Sequence, residues 1–200
     1  MTRQSLLGPR DFVGKFKQAL LDDSVHNILI RGYFDEEKIL LVFDTLQNLA
    51  DYQVGSIVMG NVTVRAERNY LVEGLSSRYV PRFNLSDTFK MGNLRVNFIK
   101  WEQNIDREFN LDKDFAIFHP VESVLKDDLS VEAFRKVLSN SKAKKNILLT
   151  TNDLTNNPEK IFDDVEAVLI LDSTGVDDNH KQRYKSIERN MTSRGKKLPY

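Results

Sequence analysis

Two apolar runs in the last third of the chain, "NILLTT" (146–151) and "EAVLILDS" (166–173), constrain its fold more than any other feature. Each is short and almost uniformly hydrophobic, without the polar–apolar alternation of a strand with one wet face. Such runs are buried on both sides, as in a parallel sheet covered by helices. Parallel strands cannot be joined by a tight turn, so the intervening "NPEKIFDDV" reads as a short crossover helix, with the two strands as neighbours.

The same rhythm runs through the first sixty residues. "GPRDFVGKFKQALLDDS" places Phe12, Phe16, Ala19 and Leu20 on one helical face. "VHNILIRGYF" follows as a strand, then "DEEKILLVFDTLQNLADY" as a second helix. Asp35 reads as its N-cap, Glu36 and Glu37 suit the dipole of its first turn, and Ile39, Val42, Phe43, Leu46 and Leu49 face inward. "QVGSIVMGNVTV" is the next strand. From Val62 the pattern alternates or breaks; "TFKMGNLRVNFIKW" fits a hairpin or one bent strand, and residues 67–87 yield no element. Regularity returns with "KDFAIFHPVES", a strand ending at His119-Pro120, and "SVEAFRKVLSNS", a helix capped by Ser130 that buries Val131, Phe134 and Leu138. "DNHKQRYKSIERNM" reads as the final helix. The expected fold is a single α/β domain over residues 1–200, a mostly parallel twisted sheet with helices on both faces. It carries a β-rich central insertion at about 62–105 and a C-terminal β-α-β-α unit at about 113–195.

Composition narrows the function classes. Lys and Arg number 29, as do Asp and Glu, so an argument for nucleic acid or membrane has to be local. There is no cysteine, which removes disulfides, thiolate nucleophiles and thiolate metal sites and fits a reducing compartment. With no signal-like start and no membrane-length apolar run, the expectation is a cytoplasmic protein without a membrane partner.

Ligands of open parallel sheets bind outside the carboxyl ends of the strands. Those ends carry Arg31-Gly32-Tyr33, Met59-Gly60-Asn61, His119-Pro120, Thr150-Thr151-Asn152-Asp153 and Asp172-Ser173-Thr174. Neither G-x-x-x-x-G-K-[ST] nor a strand-following G-x-G-x-x-G occurs, so no nucleotide cofactor is expected. For two-carboxylate metal chemistry the candidates are Asp153 and Asp172, with His119 as a further catalytic candidate. Glu122 stands three residues after His119, and Asp114 precedes it on the strand, but no full ligand set follows and no metal is expected.

The clearest local bias is "DDNHKQRYKSIERNMTSRGKK". Tyr184, Ile187 and Met191 form the stripe that packs this helix down. Lys181, Lys185 and Arg189 recur every fourth residue on another face, followed by Arg194, Lys196 and Lys197, a pattern suited to phosphates. Solvated basic tails show the same pattern. A weaker mix, Arg65, Arg68, Arg78 and Arg82 among Tyr70, Tyr79 and Phe83, suits single-strand stacking or an ordinary amphipathic surface.

From about residue 130 to 197 the order of helix, apolar strand ending in Thr, short segment, strand ending in Asp and arginine-bearing helix resembles the second RecA-like lobe of superfamily 2 helicases. The resemblance implies that Thr150 or Thr151 matches the threonine of motif V, and Arg189 or Arg194 an ATP-facing arginine of motif VI. The glycine and G-x-D pair of motif V, the Q-x-x-R-x-G-R of motif VI and the P-loop lobe are absent, which implies a degenerate, non-hydrolysing relative.

Three function classes follow. The first is a non-enzymatic nucleic-acid-transaction protein that contacts nucleic acid or a nucleic-acid-processing protein through Lys181, Lys185, Arg189, Arg194, Lys196 and Lys197. The second is a metal-dependent nuclease or phosphoester hydrolase built on the strand-end carboxylates. The third is a protein-interaction or inhibitory module whose basic helix only packs.

Overall fold

The computed structural model describes residues 6–85 and 87–200. In chain order the elements are β1 (Leu6–Leu7), α1 (Pro9–Leu21), β2 (Asn27–Gly32), α2 (Asp35–Gln47), β3 (Val54–Met59), α3 (Val64–Leu75), β4 (Thr88–Met91) and β5 (Leu94–Lys100). There follow β6 (Phe115–His119), α4 (Asp128–Asn140), β7 (Lys145–Leu149), β8 (Ala167–Leu171) and α5 (Asp178–Ser193), with short 3-10 turns at Trp101–Asn104, Val121–Ser123 and Asn157–Asp164.

The strands form one sheet in the order β1-β8-β2-β7-β6-β3-β5-β4. All neighbours are parallel except β4 and β5, a hairpin. It turns at Gly92, whose φ of 61° lies in the left-handed region that costs glycine little.

Successive strand residues point to opposite faces, and the apolar runs therefore feed two cores. Ile28, Ile30, Ile57 and Ile117 face α1, α2 and α3, where Phe12, Phe16, Val42 and Leu71 meet them. Leu29, Val58, Phe118, Leu148 and Ile170 face the other way, against Val131, Phe134 and Val137 of α4. The α/β architecture with helices on both faces is thus present, and the stripes expected on α1, α2 and α4 are buried, apart from half-buried Leu49 beyond the end of α2.

Several local expectations are corrected. β7 and β8 are not neighbours, because β2 lies between them, pairing Ile28 with both Ile147 and Ala167. Ile28-Leu29-Ile30 is as apolar as either flanking strand, and the long segment from β7 to β8 can pass over it. That segment is not a helix but 3-10 turns broken at Ile161 (φ −114°, ψ 18°). Asp35 is the first helical residue rather than the cap, and its carboxylate turns towards His119. The α4 cap is Asp127, which accepts from the Ser130 amide at 2.9 Å.

The central segment supplies β4 and β5 and also a helix, α3, where sequence reading found no element. Thr63 caps it by accepting from the Ala66 amide. Its fully inward positions are Glu67 and Leu71, and a buried glutamate breaks the apolar stripe that would have marked it.

Phe134 packs edge-on against Phe118, with ring centroids 5.7 Å apart, and Ile170 shares the same core. Phe134→Ala and Ile170→Ala are each expected to destabilise the fold by about 2–5 kcal/mol, through lost burial plus a residual cavity. Chemical denaturation checks this, and unchanged midpoints for both variants would contradict the packing described.

Candidate functional site

The carboxyl ends of β2, β6 and β7 carry buried polar groups, His119 with Asp35 and Glu67 on the side of α2 and α3, and Arg31 with Asp153 beside Phe162 and Tyr200. β2 contributes Arg31, β6 contributes His119, and the turn after β7 contributes Thr150, Thr151 and Asp153. The first turn of α2 adds Asp35 and Lys38, and α3 adds Glu67, all buried. Glu122, from the turn after β6, closes the group.

His119 sits between two carboxylates. Its Nδ1 is 2.8 Å from Glu67 Oε1 and its Nε2 is 3.3 Å from Asp35 Oδ1. Burial alone would lower its pKa; the Glu67 charge and the hydrogen bonds to Asp35 and Glu67 outweigh that and lift it to about 10. The ring is therefore an imidazolium at neutral pH, donating from both nitrogens, and holds no lone pair for base catalysis. Asp35 Oδ2 and Glu67 Oε2 are buried without a hydrogen-bond partner. Glu122 takes no part in this pairing; it accepts from the Thr151 amide at 3.0 Å and from the Thr151 hydroxyl. Asp114 lies at the opposite, amino end of β6, where it accepts from Lys144 and from the Gln53 and Val54 amides.

Between β2 and α2 runs Gly32-Tyr-Phe-Asp-Glu-Glu-Lys38-Ile39, a strand–turn–helix placement with glycine and lysine in the first and seventh positions of a phosphate-binding loop. Sequence reading passed over it because Glu37 and Ile39 stand where the second glycine and the hydroxyl residue belong. Gly32 is required here: its φ is 155°, and an added Cβ would lie 2.8 Å from the Leu171 carbonyl. The chemistry of the loop is nonetheless inverted. A phosphate loop offers backbone N–H groups and a free ammonium to an anion. Here Asp35, Glu36 and Glu37 crowd the first turn with carboxylates, and Lys38 is buried, donating to the carbonyls of Gly32 (2.8 Å), Phe34 (3.0 Å) and Thr151 (2.5 Å). The residues present do not fit a nucleotide phosphate.

Arg31 and Asp153 form the third part, a fully buried pair with Nε 2.5 Å from Oδ2. Burial opposes the guanidinium charge, but Asp153 outweighs it and raises the pKa above the ordinary arginine value. Phe162 and Tyr200 present their rings to the guanidinium at 5.6 and 5.1 Å, and the Tyr200 hydroxyl donates to Asp153 at 3.1 Å. The catalytic candidates are thus not brought together as a pair. Asp153 is neutralised by Arg31, while Asp172, beyond β8 with β2 intervening, accepts from the amide and hydroxyl of Thr174 at 3.0 and 2.7 Å. Among the described residues no group of three or more His, Cys, Asp or Glu side chains is arranged to hold a metal ion.

α5 lies across the acidic first turn of α2. Arg183 pairs with Glu36 and lies 4.4 Å from the Phe34 ring centroid, and His180 contacts Glu37 and the Asp177 cap. These carboxylates raise the His180 pKa, Glu37 first. Tyr184 packs on Tyr33, ring centroids 5.4 Å apart. Docking uses a narrow seam: His180, Arg183, Tyr184 and Ile187 are half-buried and Met191 buried, while Lys181, Lys185 and Arg189 are exposed. Arg194, Lys196 and Lys197 are exposed beyond Ser193. Lys181 meets Asp178 at 3.2 Å; among the described residues the other five have no ion-pair partner. From Lys181 to Lys197 seven basic residues face one acid, a local charge of +6 that leaves −6 on the rest of a neutral chain.

The weaker arginine–aromatic mix does not form a stacking platform. Arg68 donates to the Val80 and Pro81 carbonyls, Tyr70 packs on His119, and Phe83 stacks on Phe98. Among the described residues no helix is long and apolar enough to cross a membrane. No family model, curated protein or solved structure matches the chain.

Proposed function

We propose that this protein binds nucleic acid without catalysis, through the cationic face of α5 and the segment that follows it. The observation that carries this reading is the separation of charge: +6 within seventeen residues of a net-neutral chain, with five of those cations exposed and without an ion-pair partner among the described residues. Cations that served only stability would be expected in ion pairs with the acidic remainder, as Arg183 is. The state of the strand ends supports binding over turnover, since His119, Lys38 and Asp153 are each held by an internal partner. The resemblance of residues 130–197 to a RecA-like lobe belongs to the same reading, that of a degenerate, non-hydrolysing relative in a nucleic-acid transaction system.

The test is the triple variant Lys181→Glu, Lys185→Glu, Arg189→Glu. All three side chains are exposed, so stability should change by no more than about 0.5 kcal/mol per site. Nucleic-acid affinity should fall by about a hundredfold or more at about 0.1 M salt, because three phosphate contacts become repulsions. Equal affinity of variant and wild type in an equilibrium binding assay would refute the assignment to α5.

A further inference from the structure

The cationic face of α5 is more specific than a general affinity for nucleic acid. We infer that its ligand is the phosphate backbone of a duplex, read without regard to sequence; this rests on the nucleic-acid reading above.

Two observations point to the duplex. The first is what the face lacks. Proteins that grip single strands add aromatic side chains on which unstacked bases lie, and much of their affinity comes from that stacking. Tyr79 is the only exposed aromatic among the described residues, and it lines a cleft with Leu40 and Asp44 of α2 and Met91 of the hairpin, not α5. The aromatics nearest the cations are turned inward, Tyr184 onto Tyr33 and Tyr200 onto Arg31. Unstacked bases would find only polar and charged side chains on the exposed face of α5.

The second is how the cations are laid out. Lys181, Lys185 and Arg189 rise about 6 Å per step along one face of the helix, a band of about 12 Å, and Arg194, Lys196 and Lys197 follow exposed beyond its C-terminal end. A ligand held by charge alone is favoured in proportion to its charge density. A duplex carries one charge per about 1.7 Å of axis, and each neutralised phosphate contributes a salt slope of about −0.9, against about −0.7 for a single strand. Three cations along this face and three more just past the helix end suit a continuous backbone, and shape-tolerant contact of this kind carries no sequence information.

The experiment uses the full chain and three probes: a 20-base-pair DNA duplex, a duplex of shuffled sequence, and each separated strand, titrated by fluorescence anisotropy between about 50 and 200 mM salt. The expected result is a duplex affinity at least tenfold above either strand, the two duplexes agreeing within about twofold, and a log–log salt slope near −5 for six neutralised phosphates. Removing Lys196 and Lys197 as alanines should lower that slope by about 2. Strands bound as tightly as the duplex would overturn the duplex inference while leaving nucleic-acid binding intact. A tenfold difference between the two duplexes would overturn the backbone-only reading. If neither strands nor duplexes bind, both this inference and the proposed function fall.

Discussion

Arg31→Met is expected to cost about 3–5 kcal/mol of stability and to lower Tm by about 6–20 °C, as much as the larger core truncations. Arg31 is among the largest fully buried side chains of the molecule. Its removal strands the Asp153 carboxylate in the interior with only the Tyr200 hydroxyl as donor, and it empties the space between the Phe162 and Tyr200 rings. An uncompensated buried anion is far costlier than a missing methylene, because the low-dielectric surroundings that strengthened the pair now penalise the survivor. The reciprocal change, Asp153→Leu, should be similarly damaging, leaving the guanidinium with Glu159 at 3.4 Å, itself partly exposed. The double variant should be less destabilised than the two single losses added together, since no buried charge is then left alone. A thermal or denaturant cycle over the four proteins measures this. Strict additivity would mean that the pair is not coupled and that the 2.5 Å contact carries no interaction energy.

The lattice of this fold was readable because its core strands are written in one residue type. Ile28-Leu29-Ile30, Ile147-Leu148-Leu149 and Val168-Leu169-Ile170 carry no polar residue to confuse their burial, and the inward faces of α1 and α4 bury only apolar residues. Strand order was harder. Periodicity says that a run is buried on both sides but not which run lies beside it, and β2 could slip between β7 and β8 without altering any local pattern. α3 was missed for a different reason. Its most buried position is Glu67, whose partner His119 lies 52 residues away in sequence, so a charge that is internal in space looked like a surface residue in the string.

The same non-locality governs the candidate site. Arg31, His119, Thr151 and Asp153 were visible as strand-end polar residues, and the structure buries all four, Arg31 paired with Asp153 and His119 with Glu67 and Asp35. Their role was not visible, because it depends on Asp35, Lys38 and Glu67, of which the first two read only as the cap and the start of a helix and the third as part of an unassigned stretch. One signal was available: Gly32 and Lys38 keep the spacing of a phosphate loop between a strand and a helix, and the three carboxylates between them announce that an anion is unwelcome there. The basic face of α5 was legible in full, since exposure at every fourth residue follows directly from helix geometry once the Tyr184, Ile187 and Met191 stripe is placed inward.

Glu67→Gln should be the most pH-dependent change in the protein. In the wild type His119 is charged up to about 10, whereas an unfolded histidine titrates near 6.5. A histidine whose folded pKa is raised contributes stability that is complete below the unfolded value and is lost as pH rises through the folded one. Between about pH 6.5 and 10 the folded state holds one proton more than the unfolded state, so this group alone lowers stability by about 1.4 kcal/mol per pH unit, on the order of 4–5 kcal/mol across the window. Lys38, whose pKa is lowered by burial, acts with the opposite sign, and Asp35 and Glu122 also face this centre. The comparison that isolates His119 is therefore wild type against Glu67→Gln, in which those neighbours are shared. Replacing the nearer carboxylate by an amide removes the principal charge holding the imidazolium and should cost about 3–5 kcal/mol at pH 6.5. The gap should persist to the variant's own, lower histidine pKa and then close as pH rises towards 10, where the wild-type ring also loses its proton. Urea denaturation at half-unit pH intervals measures the gap, and a carbon-13 NMR titration of the ring reads the two pKa values directly. A gap of constant size to pH 10, or a wild-type ring that titrates near 6.5, would show that His119 is not an imidazolium clamped between Glu67 and Asp35.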